Sequence, residues 1–354
     1  MSELSNAFLS NYGWMKSGDT KDELVISSRI RLARNIEGFP FSQWASSTDL
    51  MRVAEQAKEV IPKSEYFKNA EIFNIEELEP IDRNFLAERY IISQELAKSG
   101  IERYVVIHPD QTVAIMINEE DHLRLQVLIS GHNLQQAWKQ IDAIDDDLEK
   151  SLNYAFSNTY GYLTACPTNV GTGIRCSVMV HLPALVITRQ IEKVLSAVTQ
   201  IGLTVRGLSG EGSDIAGNLF QISNQWTLGI SEIDTIGKIE NILHHITEQE
   251  MKAQNQLMEE NRTHVEDRVW RAYATLRHAR VMSTNEAIEL LSSIRLGRRV
   301  GILDDPSYES LSEMLILIRP AHLQKRAGKK FSTSERDKFR SMFLREWIGN
   351  GHDF

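Results

Sequence analysis

The stretch "ELVISSRIRLARN", residues 23–35, decides how the rest of the chain is read. Its apolar and β-branched residues give it strand character. Alternate residues of a strand share a face, so Arg29 and Arg31 point together at one ligand, with Arg34 close behind. Converging guanidinium groups call for an anion. Further runs of strand character are "RYVVIHP" (103–109), "TVAIMIN" (112–118), "GLTVRGL" (202–208) and "LFQISNQWTLGIS" (219–231), each bounded by Gly, Asn, Asp or Pro. Between them lie helical patterns. One covers 133–155, where Leu134, Trp138, Ile141, Ile144 and Leu148 recur at three- to four-residue spacing, and another covers 180–201. Strands and helices mix without regular alternation, which predicts an α+β fold with an antiparallel sheet flanked by helices.

From about residue 232 the pattern changes to long polar helices without strand signals. A boundary at 255/256 gives a catalytic-size domain, 1–255 with its core at 20–235, and a smaller all-helical domain, 256–354. Ser283 and Glu286 are spaced as a capping box that opens a helix. The last 35 residues carry eight Lys/Arg against four Asp/Glu.

Across 354 residues the composition is that of a globular protein, 42% hydrophobic and 25% charged. A net charge of −9 argues against nonspecific binding of nucleic acid or membrane by the whole surface, so an anionic ligand must be gathered locally. Cys166 and Cys176 make no CxxC or Cys/His pattern, which disfavours a zinc site or a disulfide framework and suits a reducing cytoplasm. No leader-like or membrane-spanning apolar run is readable.

Arginines recur beside other strands: Arg124 in "NEEDHLRLQ", Arg175 in "CPTNVGTGIR" and Arg206 in "VRGLSGEGSD". Any one of them alone reads equally well as a surface residue paired with an acid. Together they outline a different chemistry. Each charged hydrogen bond is worth roughly 1.5–3 kcal/mol, so several guanidinium forks hold a nucleoside triphosphate without a lysine. Neither GxxxxGK[ST] nor the Val-Ala-Ile-Lys and His-Arg-Asp set of protein kinases occurs.

With these motifs in this order, the chain resembles the phosphagen (guanidino) kinases, the family of arginine kinase and creatine kinase. The resemblance runs through "VISSRIRLARN", "NEEDHLRLQ", "CPTNVGTGIRCSVMVHLPAL" and "VRGLSGEGSD…FQISNQWTLG", roughly residues 20–235. It implies that Arg29, Arg31, Arg124 and Arg175, with Ser27, Ser177 and Arg206, bind Mg-ATP, and that the sheet-and-helix core is the family's catalytic domain. It makes Glu120 the catalytic glutamate, leaves a second acid to Glu211 or Asp214, and sets Cys166 against the substrate guanidinium. Cys176 better fits a small buried hydrophobe. A guanidinium, with pKa above about 12 and delocalised lone pairs, is a poor nucleophile until a proton is removed and its plane is fixed. Paired carboxylates do both. The glycines after Cys166 are expected to admit the backbone close to ATP.

The chain departs from the small-molecule enzymes in several places. Those enzymes carry a helical domain of about a hundred residues, the size of a small domain, ahead of the first arginine motif, whereas 28 residues precede Arg29 here. Ser209 stands where the family has a phosphate-binding arginine, for which Arg206 is the candidate replacement, and Asp214 is one methylene shorter than the usual glutamate. Tyr90 replaces a nucleotide-contacting histidine and can stack on adenine. The added helical domain resembles that of a bacterial branch of the family that phosphorylates arginine side chains of proteins. In that branch a dimerising domain holds an allosteric phosphoarginine pocket, here placed on Arg336, Asp337 and Arg340 with Ser341 in place of an alanine. The resemblance further implies a homodimer, a stress-response role, a heat-shock repressor among the protein substrates, a zinc-binding activator protein, and a Clp chaperone–protease that takes the marked proteins. Membrane and direct nucleic-acid partners are not expected. A kinase of free arginine and a noncatalytic phosphoarginine-binding adaptor are the alternatives.

Overall fold

The computed structural model of the chain describes residues 13–16, 24–98, 100–207 and 216–349. The strands are β1 (Val25–Arg34), β2 (Glu71–Asn74), β3 (Tyr104–Ile107), β4 (Val113–Ile117), β5 (Leu123–Ser130), β6 (Phe156–Ser157), β7 (Gly161–Tyr162), β8 (Ile174–His181), β9 (Leu203–Gly207) and β10 (Leu219–Asn224). The helices are α1 (Ser47–Val60), α2 (Pro80–Glu88), α3 (Gln94–Ala97), α4 (Leu134–Glu149), α5 (Pro183–Ile187), α6 (Ile191–Gln200), α7 (Glu232–His278), α8 (Thr284–Arg299), α9 (Tyr308–Leu317), α10 (Pro320–Ala327) and α11 (Thr333–Gly349). Eight strands form one sheet in the order β2-β3-β4-β5-β1-β8-β10-β9, while β6 and β7 make a separate hairpin. The pairs β2–β3, β3–β4, β4–β5 and β5–β1 are antiparallel, as the α+β expectation requires. β5 and β8 escape the alternating-pattern reading because each buries seven of its eight residues. Strands covered on both faces lose period-two patterning.

The described residues group into two compact units, one built from 13–16, 27–98, 100–177 and 223–240, the other from 24–26, 178–207, 216–222 and 241–349. In the first, Ile30 and Leu32 of β1 pair with Val127 and Leu125 of β5, and these pair in turn with Val113 and Ile115 of β4. All six are buried and form one face of the sheet. Packed on β5, α4 buries Leu134, Ala137, Ile141, Ile144 and Leu148, and each fully buried aliphatic side chain contributes about 1.5–3 kcal/mol. Trp138 is only half-buried, so Ala137 takes the core position expected of it.

Arg34 lies on this same face, opposite to Arg29 and Arg31. It is 2% exposed and binds Asp145 of α4 through Nε (3.0 Å) and Nη2 (2.6 Å), beneath the Tyr162 ring at 3.6 Å. The nearby arginine is therefore a core ion pair and not a ligand group. α4 stops at Glu149, short of the expected 155, because 153–155 pairs with 35–37 instead: Glu37 N–H donates to Asn153 O and Ala155 N–H to Asn35 O.

In the second unit the helix expected over 180–201 is two helices. Arg189, at φ +58°, breaks the chain between α5 and α6. The buried Glu250 carboxylate accepts the N–H groups of Ala184 and Leu185 at the start of α5. α7 is interrupted at Asn261, whose φ/ψ of −137°/27° is not helical. As the sequence predicts, Ser283 opens α8, accepting the Glu286 N–H at 3.2 Å.

Candidate active site

Ser27, Arg29, Arg31 and Ala33 occupy the face of β1 opposite the core, and Ala33 pairs with Arg124 of β5, so Arg124 shares that face with them. Gln126, the partner of Arg31, is a further member, and its amide donates to Tyr90 O at 2.7 Å. On the other side of β1, β8 carries Arg175 and Ser177 at alternate positions. Arg175 Nη2 donates to Ser223 Oγ at 3.1 Å, and Ser177 Oγ donates to Arg29 O at 3.4 Å. Four guanidinium groups thus converge from three strands.

Their electrostatics show a site built for a missing charge. Burial, with Arg124 and Arg175 beside it, lowers Arg29 to about 10 even though the Tyr90 phenol opposes the shift. Burial first, and then Arg29, Arg124 and Arg175, push Arg31 well below the ordinary arginine value. Its Nε is shut off from water and has no hydrogen-bond partner. A buried donor left unmade costs about 1–3 kcal/mol, more if charged. A polyphosphate supplies both the acceptor and the countercharge, so these residues fit ATP.

The acids sit in the tight loop joining β4 to β5. Asn118, at φ +57°, turns the chain, and its N–H donates to His122 O at 2.9 Å. On composition alone a solvated turn is the bland reading of "NEED", yet Glu119, Asp121 and His122 are all buried and only Glu120 is half-open. Burial raises the Glu119 carboxyl, but Arg124, the Ser93 hydroxyl and Arg31 outweigh it and hold Glu119 below the usual range. Arg124 Nη1 reaches both Glu119 oxygens, at 2.7 and 2.5 Å. Glu120 is left as the accessible acid. Burial and the neighbouring charges of Asp121 and Glu119 raise it, making it a stronger base than an ordinary carboxylate. His122 accepts the Ile36 N–H at Nδ1 (3.0 Å) and donates from Nε2 to Pro40 O (2.8 Å), which makes it a neutral latch under the loop.

Cys166 opens a short 3-10 turn, Pro167–Asn169, and its Sγ lies 3.0 Å from Thr168 Oγ1. The following segment is fixed by Thr227, whose hydroxyl is within 2.9 Å of Thr168 O and 2.7 Å of Val170 O. The glycines here are required by the protein's own backbone. A Cβ at Gly171 (φ +113°) would sit 2.5 Å from Thr227 O, and one at Gly173 (φ +66°) 2.6 Å from Ala33 O. Cys176 is fully buried, and burial raises its thiol far above the usual value, in keeping with an inert hydrophobe.

Asn35 and Asp121 carry weight that sequence reasoning missed. Asp121 Oδ1 accepts Asn35 Nδ2 and the Ala165 N–H, both at 2.7 Å, while Asn35 also takes the His122 N–H and donates to Leu163 O. Neither partner is near in sequence, so no local pattern exposes the link.

The remaining expected residues fall as follows. Tyr90 is half-buried at φ +59°, with its phenol near Arg29 and its ring 6.3 Å from that of Trp14. Arg206 stands on β9, in the second unit. Glu211 and Asp214 lie outside the described residues. On α11, Arg336 donates to Phe331 O and Thr333 Oγ1, both at 3.0 Å. Arg340 is 1% exposed and donates to Ile318 O (2.8 Å), Met282 O (2.8 Å) and Asp337 Oδ1 (2.6 Å). No group of three His, Cys, Asp or Glu able to hold a metal ion exists among the described residues. None of their helices is long and apolar enough to cross a membrane.

Comparison with known proteins gives the family. Residues 52–253 match the model of the ATP:guanido phosphotransferase C-terminal catalytic domain, and residues 262–353 that of the protein-arginine kinase McsB C-terminal domain. The chain belongs to the ATP:guanido phosphotransferase family. It is 45% identical to the protein-arginine kinase of Moorella thermoacetica over 96% of its own length and 97% of the relative's. The protein-arginine kinase of Brevibacillus brevis is 44% identical, with 94% of each chain covered. A solved lombricine kinase superposes with a TM-score of 0.58 at 24% identity, covering 70% of this chain and 71% of its own, and shares the fold.

Proposed function

We propose that this chain transfers the γ-phosphoryl group of Mg-ATP to arginine side chains of proteins. The observation that carries the reading is the buried, unpartnered Nε of Arg31 among three other converging guanidinium groups, beside the half-open Glu120. Similarity along nearly the whole length to proteins named protein-arginine kinases supports a protein substrate.

In this reading Ser27, Arg29, Arg31, Arg124, Arg175 and Ser177, with Arg206, hold the phosphates, and Mg2+ arrives on them as part of the substrate, as is usual for an ion that keeps its waters and phosphate ligands. Glu120 takes a proton from the target guanidinium, which frees a nitrogen lone pair. That nitrogen forms a bond to the γ-phosphorus as the bond to the bridging oxygen breaks, and the electron pair leaves with ADP. Cys166 and one of Glu211 and Asp214 fix the plane of the guanidinium. Rate then comes from alignment and charge neutralisation, since phosphoryl transfer leaves the protein little covalent work.

The wider proposals rest on the family resemblance: a cytoplasmic homodimer, a heat-shock repressor among the substrates, a zinc-binding activator, and delivery of marked proteins to a Clp chaperone–protease. The match of residues 262–353 supports Arg336, Asp337 and Arg340 as an allosteric phosphoarginine pocket. To test the activity, the purified chain is incubated with Mg-ATP and a basic protein, and phosphate is mapped by mass spectrometry at neutral pH with Glu120→Ala alongside. Phosphoarginine lost in the variant is expected; phosphate found only on added free arginine would overturn the protein-substrate reading.

A further inference from the structure

Two loops must meet one guanidinium, the acid loop carrying Glu120 and the segment carrying Cys166, and these two residues are 46 positions apart along the chain. We infer that Asp121 is a positioning residue that ties these loops together and sets the separation between Glu120 and Cys166. The inference rests on the proposed function for what the two side chains do, and on geometry alone for the tie.

The bond from Ala165 N–H to Asp121 Oδ1 is 2.7 Å long. Glu120 adjoins one end of it and Cys166 the other, each one peptide unit away, a Cα spacing of about 3.8 Å. Asn35 doubles the tie: its amide donates to Asp121 Oδ1 (2.7 Å) and Leu163 O (3.0 Å), and its oxygen accepts the His122 N–H (2.9 Å). Asp121 and Asn35 are 3% and 2% exposed, so water does not compete for these bonds. The acid loop itself is latched from behind by His122 to Ile36 and Pro40, and the Cys166 segment is held on its far side by Thr227 at Thr168 O and Val170 O, which leaves Asp121 as the tie between the two.

Asp121 touches neither nucleotide nor guanidinium in this account, and it differs from Glu119, whose carboxylate is spent on Arg124. Its carboxylate oxygen, and not its charge, makes the tie to Ala165. Asn at this position keeps an acceptor oxygen while Ala has none, so the two substitutions separate the tie from electrostatics.

The test compares Asp121→Ala, Asp121→Asn and wild type in three measurements: kcat for arginine phosphorylation, Kd for Mg-ATP, and the rate of Cys166 alkylation by iodoacetamide followed by mass spectrometry. Because Cys176 is fully buried, the alkylation signal belongs to Cys166. Asp121→Ala is expected to lower kcat about 10- to 100-fold, the scale of a misplacement near 1 Å, with Kd for Mg-ATP within about twofold of wild type. Its Cys166 is alkylated several-fold faster, and Asp121→Asn returns both kcat and alkylation most of the way. Wild-type kcat in Asp121→Ala, unchanged alkylation, or a loss in Asp121→Asn as deep as in Asp121→Ala each overturns the inference. If Asp121→Ala fails to fold, Asp121→Asn and Asn35→Ala carry the comparison, with faster alkylation expected in Asn35→Ala and a wild-type rate there overturning the tie. Absence of phosphoarginine with the wild-type chain refutes the proposed function instead, while the alkylation rates still decide the tie.

Discussion

Replacing Arg31 by methionine separates what the arginine costs the empty protein from what it gives the nucleotide. In the structure Arg31 Nε is sealed from water without an acceptor, and Arg29, Arg124 and Arg175 all oppose its charge, while Glu119 offsets them only in part. A buried unpaired donor costs about 1–3 kcal/mol, and methionine keeps much of the apolar stem while removing it. Arg31→Met should therefore stabilise the nucleotide-free protein by about 1–3 kcal/mol, which raises the midpoint of thermal unfolding by roughly 2–4 °C per kcal/mol for a unit of this size. Nucleotide affinity moves the other way. One charged hydrogen bond to phosphate, about 1.5–3 kcal/mol, corresponds to a Kd for Mg-ATP about 10- to 150-fold weaker. Scanning calorimetry without nucleotide and titration calorimetry with it give both quantities from one preparation. A lower unfolding midpoint in the variant would refute the reasoning, because it would mean that Arg31 is held by favourable contacts within the protein.

Three further outcomes follow from the geometry. Asp145→Ala strands the buried Arg34 guanidinium and should cost about 3–5 kcal/mol in urea unfolding; a loss under about 1 kcal/mol would show that the ion pair is not structural. Glu120 must be ionised to accept a proton and its pKa is raised by burial, Asp121 and Glu119, so kcat/KM should be full above that pKa and fall as pH drops through it. The acid limb then lies above the ordinary glutamate value near 4.3, and Glu120→Gln should lose about 10²- to 10⁴-fold in kcat with nucleotide binding retained. Gly171→Ala, forced against Thr227 O at 2.5 Å with φ at +113°, should lower the unfolding midpoint; an unchanged midpoint would mean the Thr227 segment gives way.

What was legible in the sequence is what local spacing controls. Period-two alternation put Arg29 and Arg31 on one face and, carried three residues on, places Arg34 on the other, beside Ile30 and Leu32. The partner that makes Arg34 structural, Asp145, is 111 residues away and leaves no local trace. The same holds for Asp121 and Ala165, whose bond is visible only once the two loops are folded. The glycines after Cys166 stand out in the sequence, but the contacts that require Gly171 and Gly173, with Thr227 O and Ala33 O, are set by tertiary structure. Likewise β5 and β8 hide because burial on both faces erases the alternation by which strands are found. On α11, charge is legible but burial is not: the sequence shows Arg340 as a cation, and the structure shows it holding Ile318 O and Met282 O.

The anchoring of Arg34 also sets a timetable for synthesis. Its guanidinium donates to Thr172 O across 138 residues of chain. At about 5–20 residues per second, those residues take roughly 7–28 s to emerge, and through that interval Arg34 has neither Thr172 nor, at first, Asp145 to hold. β1 accordingly has its β5 partner, residues 123–130, available before the Thr172 carbonyl that holds Arg34. Because Arg29 and Arg31 ride on the same strand, the cradle proposed for the nucleotide is complete only after Arg175 has been made.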